Sequence, residues 1–151
     1  MAEAGDSESI SKLVWQLSTE FITNEFTPEG RETLFNSMTP VAITKFIQSG
    51  YRYHLAEVKS QLIGVVGVRD NSHLYHLFVA ESYQRQGVAT GLWQLAMQAC
   101  LDEGNPGEFT VNSSKYAQKV YETLGFVAQS GPQDKNGVTF IPMKLTINRT
   151  Q

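Results

Sequence analysis

The chain is short of charge, of cysteine and of long apolar runs, and each shortage excludes a class of protein. Charged residues make up 18% of the 151 residues and the formal net charge is -3, with a pI of about 5.6. General affinity for nucleic acid needs a basic face that displaces counterions, so no nucleic-acid partner is expected and any anionic ligand must be held by local groups. Cys100 is the only cysteine, which excludes an internal disulfide and fits a reducing compartment. Its place in an apolar helical pattern reads as a buried, inert thiol. No stretch is long enough to span a bilayer, so no membrane partner is expected, and the start Met1-Ala2-Glu3-Ala4-Gly5-Asp6 lacks the basic and apolar regions of a signal peptide. A cytoplasmic location is the expectation. Repeats, low-complexity tracts and linkers are also missing, while 41% apolar and 11% aromatic residues supply a core for one expected domain over residues 1–151.

What is present reads as helices first and strands second. Ile10, Leu13, Val14, Leu17 and Phe21 fall at amphipathic spacing, predicting a helix from about Ser7 to Asn24 with Asp6 or Ser7 as its cap. Thr27-Pro28-Glu29 and Thr39-Pro40 each place a capping hydroxyl before a proline, and Gly50 is a stop, so two short helices fill residues 28 to 49. Tyr51–Val58, Leu62–Arg69 and His73–Val79 are β-rich runs separated by Lys-Ser and Asp-Asn-Ser turns, an antiparallel meander. A helix follows with Val88, Leu92, Leu95, Ala96 and Ala99 on one face and Gly104 as terminator. Glu108–Val111 supplies a strand, and Ser113 or Ser114 caps a third long helix reaching about Leu124. Phe126–Gln129 and Val138–Ile147 are the last strands, with a turn at Asp134-Lys135-Asn136-Gly137. The fold class is α+β: an antiparallel meander followed by a β-α-β-α-β half, forming one mixed central sheet flanked by helices.

The segment between the third run and the following helix carries the first chemical signal. Gln84-Arg85-Gln86-Gly87-Val88-Ala89-Thr90 leads from a strand into a helix, whose N-terminus offers unpaired N–H groups and a positive dipole end to an anion. Gly87 lets the backbone approach a phosphate, Ala89 keeps the first turn open, and Arg85 adds a charge-assisted donor. A glycine there also simply makes a tight turn. Neither G-x-x-x-x-G-K-[ST] nor G-x-G-x-x-G with an acidic partner occurs. A second pattern lies downstream, where Ala117 and Tyr121 stand one helical turn apart on a common face, with Gly125 a further turn along.

Together these residues resemble the GNAT superfamily of acetyl-CoA-dependent N-acetyltransferases. Gln84, Gly87 and Ala89 match its [QR]-x-x-G-x-[GA] signature, and Asn112, Ala117, Tyr121, Gly125 and Phe126 match its N-x4-A-x3-Y-x3-G-F arrangement. The resemblance runs from about Tyr51 to Ile147. It implies the GNAT fold and direct acyl transfer from acetyl-CoA to a primary amine of a small metabolite, amino-acid derivative or peptide. It further implies pyrophosphate binding at the Gln84–Ala89 turn, pantetheine pairing with the backbone of Leu77 and Val79, and further cofactor contacts at Phe78, Thr90, Asn112, Ala117 and Tyr121. Tyr121 is implied to be the general acid for the departing thiolate. Asn112 serves as a helix cap or as a pantetheine partner, or both.

Other roles stay open at this level. Glu57, His76 and Glu81 lie on or beside the strands bordering the implied acyl site, and each is a candidate base for the acceptor amine. Lys115 and Lys119 flank the second motif, either reaching the cofactor's ribose phosphate or forming a solvated face. His54, His73 and His76 lack H-E-x-x-H or cysteine-pair spacing, so no metal is expected. The family's opening strand has only Met1 to Gly5 to form it, and the acceptor site falls within Ser18–Ile47 and Gly131–Met143. Homodimers are common among such domains, but no residue marks an interface. The alternatives are a non-catalytic acyl-CoA-binding or interaction domain of the same fold, or a peptide-binding module using a sheet edge.

Overall fold

The structure is a computed structural model that describes residues 2–21, 26–135 and 137–147. The side chain of Phe21, the expected helix end at Asn24, and Asn136 lie outside the described residues. Three helices open the chain: α1 (Ser7–Phe21), α2 (Pro28–Asn36) and α3 (Pro40–Gln48). The capping expectation holds for the second and third helices, since the Thr27 hydroxyl accepts from Gly30 N and the Thr39 hydroxyl accepts from Ala42 N; at the first, Asp6 instead accepts from Glu3 N at 2.8 Å across a 3-10 turn, Ala4–Asp6, that runs into α1. Gly50 ends the third helix with φ +107°, a left-handed conformation that only glycine adopts without steric cost.

The meander forms as the alternation of apolar and turn residues predicts: β1 (Arg52–Val58), β2 (Gln61–Arg69) and β3 (His73–Val79). Lys59, Ser60, Asp70 and Asn71 all take positive φ in the two connections, turning the strands tightly in the sense of their right-handed twist. After β3 come α4 (Val88–Asp102), β4 (Glu108–Ser113), α5 (Gln118–Thr123), β5 (Val127–Ala128), β6 (Gln133–Lys135) and β7 (Val138–Thr146). The sheet has the order β1-β2-β3-β4-β7-β5, with β6 paired to β7 as a hairpin. Every pairing is antiparallel except β3 with β4. Among the described residues no strand precedes α1, and Ala2 N donates one hydrogen bond of 2.8 Å to Tyr53 O.

Two apolar layers cover the sheet. Ile10, Val14, Met38, Ile43, Tyr53 and Val65 pack on one side, under α1 and α3; Val66, Val68, Trp93, Phe109, Phe126 and Met143 pack on the other, under α4. Coverage of both faces explains why β2 is a nearly continuous apolar run. Among the described residues no helix is long and apolar enough to cross a membrane.

Three expectations need correction. The buried stripe of α4 is Leu92, Trp93, Ala96 and Cys100, while Leu95 is 54% exposed. Trp93 rotates the helix toward the sheet by filling the space between Phe109 and Phe126, at ring-centroid distances of 5.1 and 5.5 Å. Cys100 is buried as expected; burial raises its thiol pKa, and an Arg52 guanidinium N–H reaches its sulfur at 3.7 Å. The expected long third helix is only the short α5, because Asn112 and Ser113 are held in the sheet opposite Pro142 and Ile141. The Ser114 hydroxyl therefore accepts from Ala117 N across a turn that precedes the helix. Strand β6, a sequence of polar residues with no alternation, was not predicted.

Gly67 leaves room for the Tyr53 ring, which a Cβ would meet at 2.8 Å from Cδ1 and closer still at Cε1. Tyr53 is fully buried and cannot swing away. Gly67→Ala is expected to destabilise the fold by about 1–3 kcal/mol, as overpacking of a filled core does, read as a lowered urea midpoint at unchanged slope. A midpoint equal to wild type would show that the layer yields.

Candidate functional site

The parallel pairing of β3 and β4 is confined to His73 with Thr110 and Leu74 with Val111. Beyond Leu74 the strands part, and the β3 edge that faces β4 is left without a partner. The register between β2 and β3 also slips here, from Gly67 opposite His76 to Val68 opposite Leu74. Tyr75 is thus an extra residue, a bulge that bends the strand where it leaves its neighbour. The gap widens into a cleft of about 980 Å³, within the range of small-molecule sites.

One end of the cleft is the start of α4. Gly87 is the N-cap at φ +83°, no side chain caps the helix, and a Cβ on Gly87 would meet nothing within 4 Å. The first-turn N–H groups, from Val88, Ala89 and Thr90, thus face an open space lined by those residues with Leu77, Phe78 and Val79. Gln84 ties this turn to the strand, its side-chain amide donating to Val79 O at 2.9 Å. Arg85 lines the cleft, with a left-handed backbone at φ +63°. Gln86 does not line it; its amide turns back to Ser82 O at 3.1 Å.

Opposite stand Asn112 on the open face of β4, then Ala117, Lys119 and Tyr121. Lys115 is not among the lining residues. Tyr121 packs edge-on against Phe126 at 5.9 Å, and burial raises the pKa of its phenol. Its hydroxyl has no hydrogen-bond partner among the described residues.

The other end is built from α1, α2, β3 and the β6–β7 hairpin. Leu17, Leu34, Met38, Tyr75 and Phe140 supply apolar walls. Tyr75 stacks edge-on with Phe46 and Tyr51 at 5.3 and 5.4 Å, and burial raises the pKa of its phenol. The Arg69 guanidinium lies 5.7 Å from the centre of the Tyr75 ring. Sequence patterns pointed to neither Arg69 nor Tyr75, whose only signal was their place on strands bordering the implied site; Ser37 and Phe140 fall within the two segments expected for the acceptor, without being singled out there.

His76 also reaches the cleft, but its ring is held inside the protein. Its Nδ1 lies 3.0 Å from the Tyr53 hydroxyl, and burial drives its pKa down to about 3, leaving a neutral imidazole. Glu57, exposed on β1, and Glu81, in a short turn after β3, do not line this cleft. The histidines do not converge: His73 Nδ1 bonds the Thr110 hydroxyl at 2.7 Å, and His54 lies buried on β1.

A sheet of this order, opened between β3 and β4 and facing the glycine-led start of α4, can seat an extended ligand with an anionic end. The chain matches the family described as Acetyltransferase (GNAT) domain over residues 22–147. The chain therefore belongs to the GNAT family of acetyltransferases. It is similar to human N-acetyltransferase 8, with 26% identity over 106 residues, a match covering 62% of this chain and 46% of that protein. Among solved structures it resembles a GCN5-related N-acetyltransferase from Rhodopseudomonas palustris, at TM-score 0.76 and 18% identity over 95% of this chain and 91% of that one. It also resembles the PaiA N-acetyltransferase of Thermoplasma acidophilum, whose structure was solved with coenzyme A, at TM-score 0.73 and 18% identity over 97% and 96% of the two chains.

Burial lowers the pKa of all three histidines, to about 4 for His73 and about 3 for His76. Unfolded histidine titrates near 6.5, so between about pH 6.5 and the folded values the unfolded chain binds protons that the native chain does not. Stability is expected to be full above about pH 6.5 and to decline as pH falls. His76→Gln should reduce that slope by up to about 1.4 kcal/mol per pH unit, measured by urea titration at several pH values; equal slopes would contradict the assignment.

Proposed function

We propose that this chain transfers an acetyl group from acetyl-CoA directly to a primary amine within a ternary complex. The observation that carries this reading is the unpaired β3 edge beyond Leu74, which opens into the same cleft as the uncapped α4 N-terminus and Tyr121. The residues suit the donor. On the edge facing the gap, the N–H and C=O of Leu77 and the N–H of Val79 pair with the amides of a pantetheine arm as an added strand would, while Phe78 stands opposite Val65 of β2 and Val79 O already accepts from Gln84. First-turn amides at Val88, Ala89 and Thr90, with Arg85 beside them, receive the pyrophosphate. Asn112 and Ala117 border the arm from the facing wall, and Lys119 stands on the same side for a phosphate.

When bound, acetyl-CoA supplies the activated thioester; the chain's own groups do the rest. A β3 backbone N–H near the Tyr75 bulge stabilises the carbonyl oxygen as the amine nitrogen attacks. Tyr121 delivers its phenolic proton to sulfur as the C–S bond breaks, and regains one from the nitrogen side through solvent. Burial keeps this phenol protonated beforehand. The neutral His76, already bonded to Tyr53 and with a depressed pKa, is a weak proton acceptor, so an ordered water is the better route for the amine's proton.

Acetyl-CoA at 100 times its dissociation constant should stabilise the protein by about 2.7 kcal/mol through mass action, seen as a raised melting temperature. Gly87→Trp should lose that shift while still melting cooperatively, from a lower starting temperature, since its side chain projects into open space but its φ of +83° strains any residue with a Cβ. Tyr121→Phe should keep the shift and lower the rate of CoA release by about 100-fold. No shift with wild type would refute the donor assignment, and an unreduced rate in Tyr121→Phe would remove the phenol from the chemistry. A full shift with no release from any amine would favour a non-catalytic acyl-CoA-binding domain.

A further inference from the structure

The chain is acidic overall, yet the cleft is not. Its charged lining residues are Arg69, Arg85, Lys119 and Lys135, and no aspartate or glutamate lines it among the described residues. Arg85 and Lys119 sit at the end assigned to the donor phosphates, which leaves Arg69 and Lys135 at the opposite end. Arg69 closes β2 opposite His73 and lies over the Tyr75 ring, beside the bulge where the β3 edge becomes free. Its Nε is buried with no hydrogen bond. The neighbouring Asp70 carboxylate lies 3.5 Å from that nitrogen but is 81% exposed, and so holds the guanidinium only weakly. The outer guanidinium nitrogens, on a side chain that is 38% exposed and lines the cleft near the Tyr75 ring, are left to receive a carboxylate.

Resting on the acyl-transfer reading above, we infer that the acceptor is a free amino acid with an apolar or aromatic side chain, its carboxylate held by Arg69 and its side chain lying among Leu34, Met38 and Phe140. The same fixed cation disfavours acceptors with several ammonium groups, because no carboxylate among the described lining residues offsets the repulsion. It also lowers the pKa of the bound amine, favouring the neutral form that attacks. The attack forms the C–N bond and breaks C–S; the extra proton on nitrogen passes to water, and sulfur leaves protonated by Tyr121.

The test is CoA release by the full chain with acetyl-CoA and a panel: phenylalanine, methionine, phenylalanine amide, phenethylamine, spermidine and an aminoglycoside. The free acids should exceed the amide and phenethylamine in kcat/KM by about 10- to 100-fold, the worth of hydrogen bonds to a charged group. In Arg69→Met the ratio of phenylalanine to phenethylamine should fall toward one, and Arg69→Lys should restore part of it, a change that a merely structural role for Arg69 would not produce. Equal or faster turnover of the amide, phenethylamine, spermidine or the aminoglycoside by wild type overturns the inference, as does an unchanged ratio in Arg69→Met. Failure of every amine while acetyl-CoA still raises the melting temperature overturns it too, leaving donor binding intact. Absence of that thermal shift removes the acyl-transfer reading itself, and this inference with it.

Discussion

The end of hydrogen bonding between β3 and β4 after Leu74 sets the rest of the molecule in order. A buried strand edge with free N–H and C=O groups is costly unless it faces solvent or a ligand. Here the edge opens into a cleft. The separation is kept by pairing elsewhere: β3 holds β2 on its other side from His73 to Val79, and β4 holds β7 along its whole length. Each strand is committed away from the gap. The Tyr75 bulge bends β3 at the branching point, so separation and bend reinforce one another.

The two apolar layers keep this gap from closing by holding its walls independently. Trp93, between Phe109 and Phe126, locks α4 against the sheet and so places the helix start at Gly87. On the other side Ser18 and Ser11 of α1 bond the sulfur and carbonyl of Met38, fixing the segment after α2. Gly30 at the start of α2 meets Gly137 of the β6–β7 hairpin so closely that a Cβ on either would collide with the other's backbone. The far wall of the cleft is thereby one packed unit of helix and hairpin.

Electrostatics follow from the same packing. Burial without a charged partner keeps His76 neutral and the Tyr121 phenol protonated, because a low-dielectric site disfavours whichever form is charged. The fixed charges of the cleft are cations on its walls, two near the α4 and α5 end and two at the opposite end. An acidic chain thus presents a local positive field to its ligands.

Local chemistry was legible in the sequence. Thr27-Pro28 and Thr39-Pro40 determined two helix starts, Lys59-Ser60 and Asp70-Asn71 determined two tight turns, and Gly87 determined a left-handed step into α4, because each depends on a few adjacent residues. The spacing of Gln84, Gly87, Ala89, Asn112, Ala117 and Tyr121 carried the family for the same reason, and all six line the cleft. Tertiary structure decided what distance in sequence hides. The length of α5 depended on Asn112 and Ser113 being held opposite Pro142 and Ile141; the buried face of α4 depended on where Trp93 found space. Glu57 and Glu81 fell away from the cleft, while Arg69 and Tyr75 entered it, because register and a single bulge select which side chains converge. Sequence therefore determined most of the elements and the caps at Thr27 and Thr39, through local backbone preference. Only the packed sheet decided which groups share one cavity, since that follows from long-range pairing.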